Sequence, residues 1–251
     1  MAYQSTLDDP VRDTNTFYRR TLHVLSDAHV PFLVGGSHAY LQYTGIVRNT
    51  KDFDLFVRRN DLDRALDALQ DAGYRTEIIF PHWPAKAHQT SDHVDLVFSS
   101  GNGICRIDDE WFEHAIEAEV LGVPVKIAPI EEVLWQKAFV MERERFDGAD
   151  VMHLIRHCAE IIEWERLLRR LDRYWPLLLT YLFMFTFIYP SEKHRIPQSV
   201  FDDLLGRLQQ QQLHAGENGA DRVCQGTLVS RDQYMVDIGQ YGFADARLTP
   251  R

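Results

Sequence analysis

The chain has 251 residues, 45% hydrophobic and 25% charged, the make-up of a folded globular protein, which excludes wholesale disorder. Its formal net charge of −10 argues against generic coating of nucleic acid unless a local basic patch reverses the field. Cys105, Cys158 and Cys224 are far apart and odd in number, which argues against a disulfide framework or a CxxC zinc site and fits a reduced, cytoplasmic protein. The first ten residues, MAYQSTLDDP, show no export signal.

In chain order, the apolar positions Phe17, Leu22, Val24, Leu25 and Ala28 predict a helix over 14–29, followed by a strand at 31–34 and a turn at Gly35. Residues 37–43 predict a short helix stopped by Gly45. Alternating acidic and apolar residues over 52–57 predict a strand. Asn60 then stands where it would cap a helix carrying Leu62, Ala65, Leu66 and Leu69 on one face, with Gly73 past its end. Residues 74–80 read as a strand, 81–92 as a polar loop, 93–98 as a strand, and 120–129 as a hairpin arm around Gly122. From 130 to about 212 the pattern is helical, and 213–251 has little periodicity.

The expectation is an α+β protein, a mixed sheet flanked by helices and followed by an all-helical C-terminal region. Its segments are 14–128, 129–212 and a tail over 213–251 packed on the body. The uncharged run 174–190 falls near the short limit of a membrane span, but prolines bound it and charges crowd both ends, so it predicts a buried helix or a homo-oligomer contact.

The strand at 52–57 raises a chemical question, because a hydrophobic strand has little use for two acids. Strand side chains alternate, so Asp52 and Asp54 share a face about 6.6 Å apart along the strand while Phe53, Leu55 and Val57 face the core. On the strand at 93–98, Asp95 emerges opposite Val94, Leu96 and Phe98. If the two strands pair, Asp95 lies on the order of 5 Å from one of the other acids. Three such carboxylates need a cation, and an oxygen-only set suits Mg²⁺ or Mn²⁺. Gly35 and Gly36 allow close backbone approach ahead of Ser37, where the start of a helix favours a phosphate.

This ordered set, a strand, Gly35-Gly36-Ser37, a short helix, RNTKDFDL at 48–55 and Asp95 on a later strand, resembles the nucleotidyltransferase superfamily that shares its fold with DNA polymerase beta. Within it the sequence looks like the bacterial branch of AbiEii-type toxins. The resemblance implies transfer of a nucleoside monophosphate from a nucleoside triphosphate to an acceptor hydroxyl, with release of pyrophosphate. It implies that Gly36 and Ser37 hold the triphosphate and that Asp52 and Asp54 bind metal. Asp95 would be the third carboxylate, helping to activate the attacking hydroxyl. The acceptor is left open among RNA, protein and small molecules such as aminoglycosides.

Lys137 stands among Val133, Leu134, Phe139 and Val140, where a lysine is costly unless paired; it is a candidate for reaching the triphosphate, with a snorkelling lysine as the alternative. Arg48 is a candidate for steering phosphate, with a salt bridge to a nearby acid as the alternative. Arg166, Arg169, Arg170 and Arg173 share a helical face that pairs with acids such as Glu163 and Glu165 or holds an RNA or nucleotide acceptor. His38, His82, His88 and His93 match no metal motif. Two rival readings remain, a non-catalytic nucleotide- or partner-binding module on the same fold and a metal-dependent nuclease.

Overall fold

The computed structural model describes residues 10–48, 52–79, 83–89, 91–100, 102–213 and 222–248, so that Phe80, His82 and the first part of the tail lie outside the described residues. The chain divides into two compact units, residues 1–42 with 46–129, and residues 43–45 with 130–251.

In the first unit the order is α1 (Pro10–Asp27), β1 (Leu33–Val34), α2 (Gly36–Thr44), β2 (Asp54–Phe56), α3 (Arg59–Asp71), β3 (Arg75–Ile78), β4 (Ala85–Gln89), β5 (Asp92–Val97), α4 (Asp109–Glu113), β6 (Ile116–Val120) and β7 (Val123–Ile127). The strands form one mixed sheet in the order β3-β4-β5-β2-β1-β7-β6, with β2 parallel to β5, β1 parallel to β7, and the other neighbours antiparallel. Phe53, Leu55 and Val57 are fully buried, as the alternation of acid and apolar residues requires. Leu62, Ala65, Leu66 and Leu69 give α3 its buried stripe, and Gly73, at φ +89°, turns the chain out of the helix.

Two local expectations are corrected. Asn60 is not the cap of α3, because the helix begins at Arg59 with Arg58 extended before it and no side-chain cap. The Arg58 guanidinium instead reaches Asp61 at 2.7 Å and Asp109 at 2.5 Å, tying the first turn to α4. The polar loop of 81–92 contains a central strand, β4. Its inward positions are Ala85 and Ala87, both fully buried but too small to give a hydrophobic signal, and lysine and alanine are poor strand formers.

The second unit contains α5 (Ile130–Ala138), α6 (Gly148–Cys158), α7 (Trp164–Leu171), α8 (Trp175–Ile188) and α9 (Gln198–Leu213), then β8 (Val223–Cys224), α10 (Met235–Gly239) and β9 (Ala244–Asp245). Among its described residues the regular structure is helical apart from the two-residue parallel pair β8–β9 and a lone bridge between Met141 and Phe146. The tail is tied into this unit where Ser230 Oγ and the Arg231 amide donate to the Glu142 carboxylate at 2.5 and 2.8 Å. Among the described residues no helix is long and apolar enough to cross a membrane. Leu178, Leu179, Tyr181, Leu182 and Phe185 of α8 are buried, while Phe183, Phe187 and Ile188 are exposed.

Candidate functional site

The register of four strands builds a charged row on one face of the sheet. Asp54 pairs with Asp95 across β2 and β5, Asp95 with Lys86 across β5 and β4, and Lys86 with Glu77 across β4 and β3. Directly paired residues share a face, so Asp54, Asp95, Lys86 and Glu77 stand side by side. One step along, His93 Nε2 lies 3.6 Å from Asp52 Oδ1 and 3.8 Å from Asp95 Oδ1, so Asp52 faces the same way although its side chain is 60% exposed.

The turn at Gly35-Gly36 closes on this row. Gly36 has φ +52°, and a Cβ there would fall 1.8 Å from Asp54 Oδ2; one on Gly35 would fall 2.3 Å from the Phe56 ring. Both positions must be glycine for the first turn of α2 to lie against β2. The Asp54 carboxylate is thereby held at the start of a nine-residue helix, whose first amides have no partner within the helix and carry partial positive charge. Ser37 is half-buried in that turn, its Oγ 3.5 Å from His38 Nδ1. The His38 ring packs edge-on against Phe53, and burial lowers its pKa.

Lys86 Nζ approaches Asp95 Oδ1 to 2.8 Å without hydrogen-bond alignment; that oxygen and His93 Nε2 are buried with no hydrogen-bond partner. Tyr18 of α1 stacks on Phe53 with ring centroids 4.4 Å apart. Burial, then the charges of Asp92, Asp52, Asp54 and Asp95, push its hydroxyl pKa up to about 12. Asp92 accepts a hydrogen bond from Thr14 Oγ1 at 3.0 Å, which ties it to α1. Sequence reasoning missed Lys86 and Tyr18 and named His93 without giving it a role. The alternation Ala85, Lys86, Ala87, His88 was the available signal for the first.

The remaining candidates have other neighbours. Arg48 lies over the Tyr40 ring at 5.2 Å. Lys137 is largely buried in the second unit and donates to Asp147 at 3.0 Å and Asp150 at 2.8 Å, so it is a paired lysine, not a snorkelling one. The arginine face is split. Arg166 and Arg170 turn inward to Glu131 and Glu132 while Arg169 and Arg173 are exposed, so the four form no continuous basic patch. The groove of about 840 Å³ that Arg166 and Arg169 line also carries Glu163, Glu165, Asp172 and Asp203.

Among the described residues no three His, Cys, Asp or Glu side chains converge as a ready metal centre. The donor chemistry nevertheless fits a hard divalent cation, with two carboxylates paired across adjacent strands and a buried Asp95 oxygen that lacks a hydrogen-bond donor. Asp54 and Asp95 are the residues that would hold it, with Asp52 at the exposed side.

Several solved proteins match the chain, each at low identity. The antibiotic-resistance factor ANT(2'')-Ia matches at 15% identity over 68% of this chain and 97% of its own, with a TM-score of 0.47. The lincosamide antibiotic adenylyltransferase LnuA matches at 16% identity over 56% of this chain and 94% of its own, at 0.40. JHP933 from Helicobacter pylori matches at 15% identity over 85% of this chain and all of its own, also at 0.40. No curated protein sequence matches the chain. The family described as "nucleotidyl transferase of unknown function (DUF2204)" matches residues 14–172, more than half of the sequence. The chain belongs to that nucleotidyl transferase family and is an enzyme of the transferase class.

Proposed function

We propose that the protein transfers a nucleoside monophosphate from a nucleoside triphosphate to an acceptor hydroxyl at the face formed by Asp54, Asp95 and the first turn of α2. The observation that carries this reading is the pairing of Asp54 with Asp95 directly against Gly36, where a side chain of any size would collide with the Asp54 carboxylate. Bare backbone at Gly36 and the amides that follow it bind and orient the phosphates, and Ser37 adds a hydroxyl. Mg²⁺ or Mn²⁺, bound by Asp54, Asp95 and Asp52, would neutralise charge on the attacking and leaving oxygens. Asp95 takes the proton of the acceptor hydroxyl as its oxygen bonds to the α-phosphorus. The bond from that phosphorus to the bridging oxygen breaks, and pyrophosphate leaves with the electron pair. Arg48 belongs to the proposal as a phosphate-binding group, and a cytoplasmic setting supplies triphosphate and magnesium.

The test is incubation with each α-labelled nucleoside triphosphate and Mg²⁺ in the presence of total cell RNA, cell protein or an aminoglycoside. Label transferred to one acceptor with release of pyrophosphate supports the reading. The second reading, a nucleotide- or partner-binding module, is favoured by the ammonium already seated on Asp95; it expects nucleotide binding with no transfer. Shortened RNA would favour a nuclease.

A further inference from the structure

Lys86 brings a cation into the acid row. It is the polar residue between two buried alanines of β4, and its register places it between two carboxylates, Asp95 on β5 and Glu77 on β3. Its Nζ is 2.8 Å from Asp95 Oδ1, while Glu77 Oε1 lies 2.8 Å from His88 Nε2. A row of aspartates alone would repel itself, and a charged side chain that is three-quarters buried needs an opposite charge.

We propose that Lys86 is the internal counter-cation of the transfer site. It neutralises Asp95 in the metal-free protein, competes with a divalent cation for that carboxylate, and yields by turning to Glu77. This rests on the reading of the Asp54–Asp95 face as the cation-binding face. An ammonium and a divalent ion both held on Asp95 Oδ1 would stand only about 4 Å apart, where like charges repel strongly in a part-buried site, so each weakens the other's hold. The four-carbon lysine stem is flexible and Glu77 is one strand away on the same face, so the exchange is a change of rotamer with the backbone fixed. Lys86 is thus a positioning residue. Through its hold on Asp95 it sets how tightly the empty site takes a cation.

The test is Mn²⁺ titration of the full chain without nucleotide, followed by electron paramagnetic resonance of free Mn²⁺, with melting scans of the same samples. Lys86→Met should bind Mn²⁺ about tenfold tighter or more, because a competing unit charge is gone. It should melt lower than wild type without metal and gain more on adding Mn²⁺. Glu77→Gln, which removes the lysine's second partner, should bind Mn²⁺ more weakly than wild type. Lys86→Gln keeps an amide beside Asp95 without the charge and should also bind tighter, which keeps the test open if the methionine variant does not fold. Equal or weaker Mn²⁺ affinity in the folded Lys86 variants, with wild type binding normally, overturns the competition alone. Failure of wild type and both Lys86 variants to bind Mn²⁺ overturns the cation-binding face itself. Binding by the Lys86 variants and not by wild type supports the proposal in its strongest form.

Discussion

Two clusters of like composition, one in each unit, treat their charges in opposite ways. In the helical unit Arg166 is 2% exposed and donates to Glu131 at 2.6 Å and to Glu132 at 2.5 Å, while Arg170 adds a bond to Glu132 at 2.8 Å. Burial raises the pKa of Glu132 against the pull of both guanidiniums. On the sheet, Asp52 is largely exposed, Asp95 has an ammonium within 3 Å but no aligned donor, and His93 Nε2 has none either. Each cluster keeps buried polar atoms without a hydrogen-bond partner, Glu132 Oε2 and Arg166 Nε in the helical unit and Asp95 Oδ1 and His93 Nε2 on the sheet, but in the helical unit guanidiniums give both glutamates aligned bonds. In the acid row the buried Asp95 Oδ1 lacks an aligned donor, and such a carboxylate is where chemistry is to be sought.

The comparison breaks first at Arg166. Arg166→Met takes the guanidinium from buried Glu131 and leaves Glu132 with Arg170 alone, and should cost about 3–5 kcal/mol in denaturant unfolding. Replacing Glu131 and Glu132 by leucine and Arg170 by methionine in the same chain should recover most of it, since an apolar core of similar volume needs no counter-ion. A loss under about 1 kcal/mol for the single variant would mean that water reaches the network, contrary to the burial.

A smaller effect is expected at Lys137, which is less deeply buried. Lys137→Met leaves Asp147 and Asp150 without their ammonium and should cost about 2–3 kcal/mol, at the lower edge of broken buried pairs. Burial works to raise the pKa of Asp147, but the Arg145 hydrogen bonds and the Lys137 charge outweigh it and hold it below the ordinary value. A depressed carboxylate stabilises the fold above its unfolded pKa of about 3.9, and that contribution is lost as the pH falls further through the folded pKa. Acid melting below about pH 4 should therefore be steeper in wild type than in Lys137→Met. Parallel acid curves would contradict the pairing.

The tail sharpens the contrast at lower cost. Arg247 hydrogen bonds outweigh burial and draw Asp245 down to about 2, so β8–β9 should stay closed above about pH 4 and open between about pH 4 and 2. Hydrogen exchange at Ala244 and Ala246 reads that step directly, since their amides bond to Arg222 and Cys224. The exposed Phe183, Phe187 and Ile188 belong to neither cluster. If α8 joins two copies, the alternative that its uncharged run leaves open, Phe187→Glu should lower the mass in light scattering from a dimer to a monomer; a monomer in both would remove the contact.

Much of the sheet was legible because a strand's period of two forces a choice of face. Once 52–57 and 93–98 alternate acid with apolar, Phe53, Leu55, Val94 and Leu96 must go inward together, and a parallel pairing then places Asp54 beside Asp95. Lys86 was hidden because alanines fill the inward side of its strand. The arginine face misled for a different reason. Spacing fixes which residues share a side of α7 but not what lies opposite, and the partners Glu131 and Glu132 are about thirty-five positions earlier, where acids in a helix's first turn read as ordinary N-terminal residues. Tyr18 is core, beside the apolar positions that define its helix, yet its hydroxyl feels four aspartates brought together by strands far along the chain.

The central claim, nucleotidyl transfer at the acid row, is tested most directly by label transfer from α-labelled triphosphate in three folded proteins, wild type, Asp54→Asn and Asp63→Asn. Asp63 is exposed on α3 and faces Arg59 at 3.5 Å, so it reports the loss of a carboxylate outside the row. The account expects Asp63→Asn to transfer as wild type does and Asp54→Asn to lose transfer by about a thousandfold or more, as when a charge-stabilising group is removed from a transition state. Full transfer by Asp54→Asn would contradict it and leave the row as surface charge on a sheet.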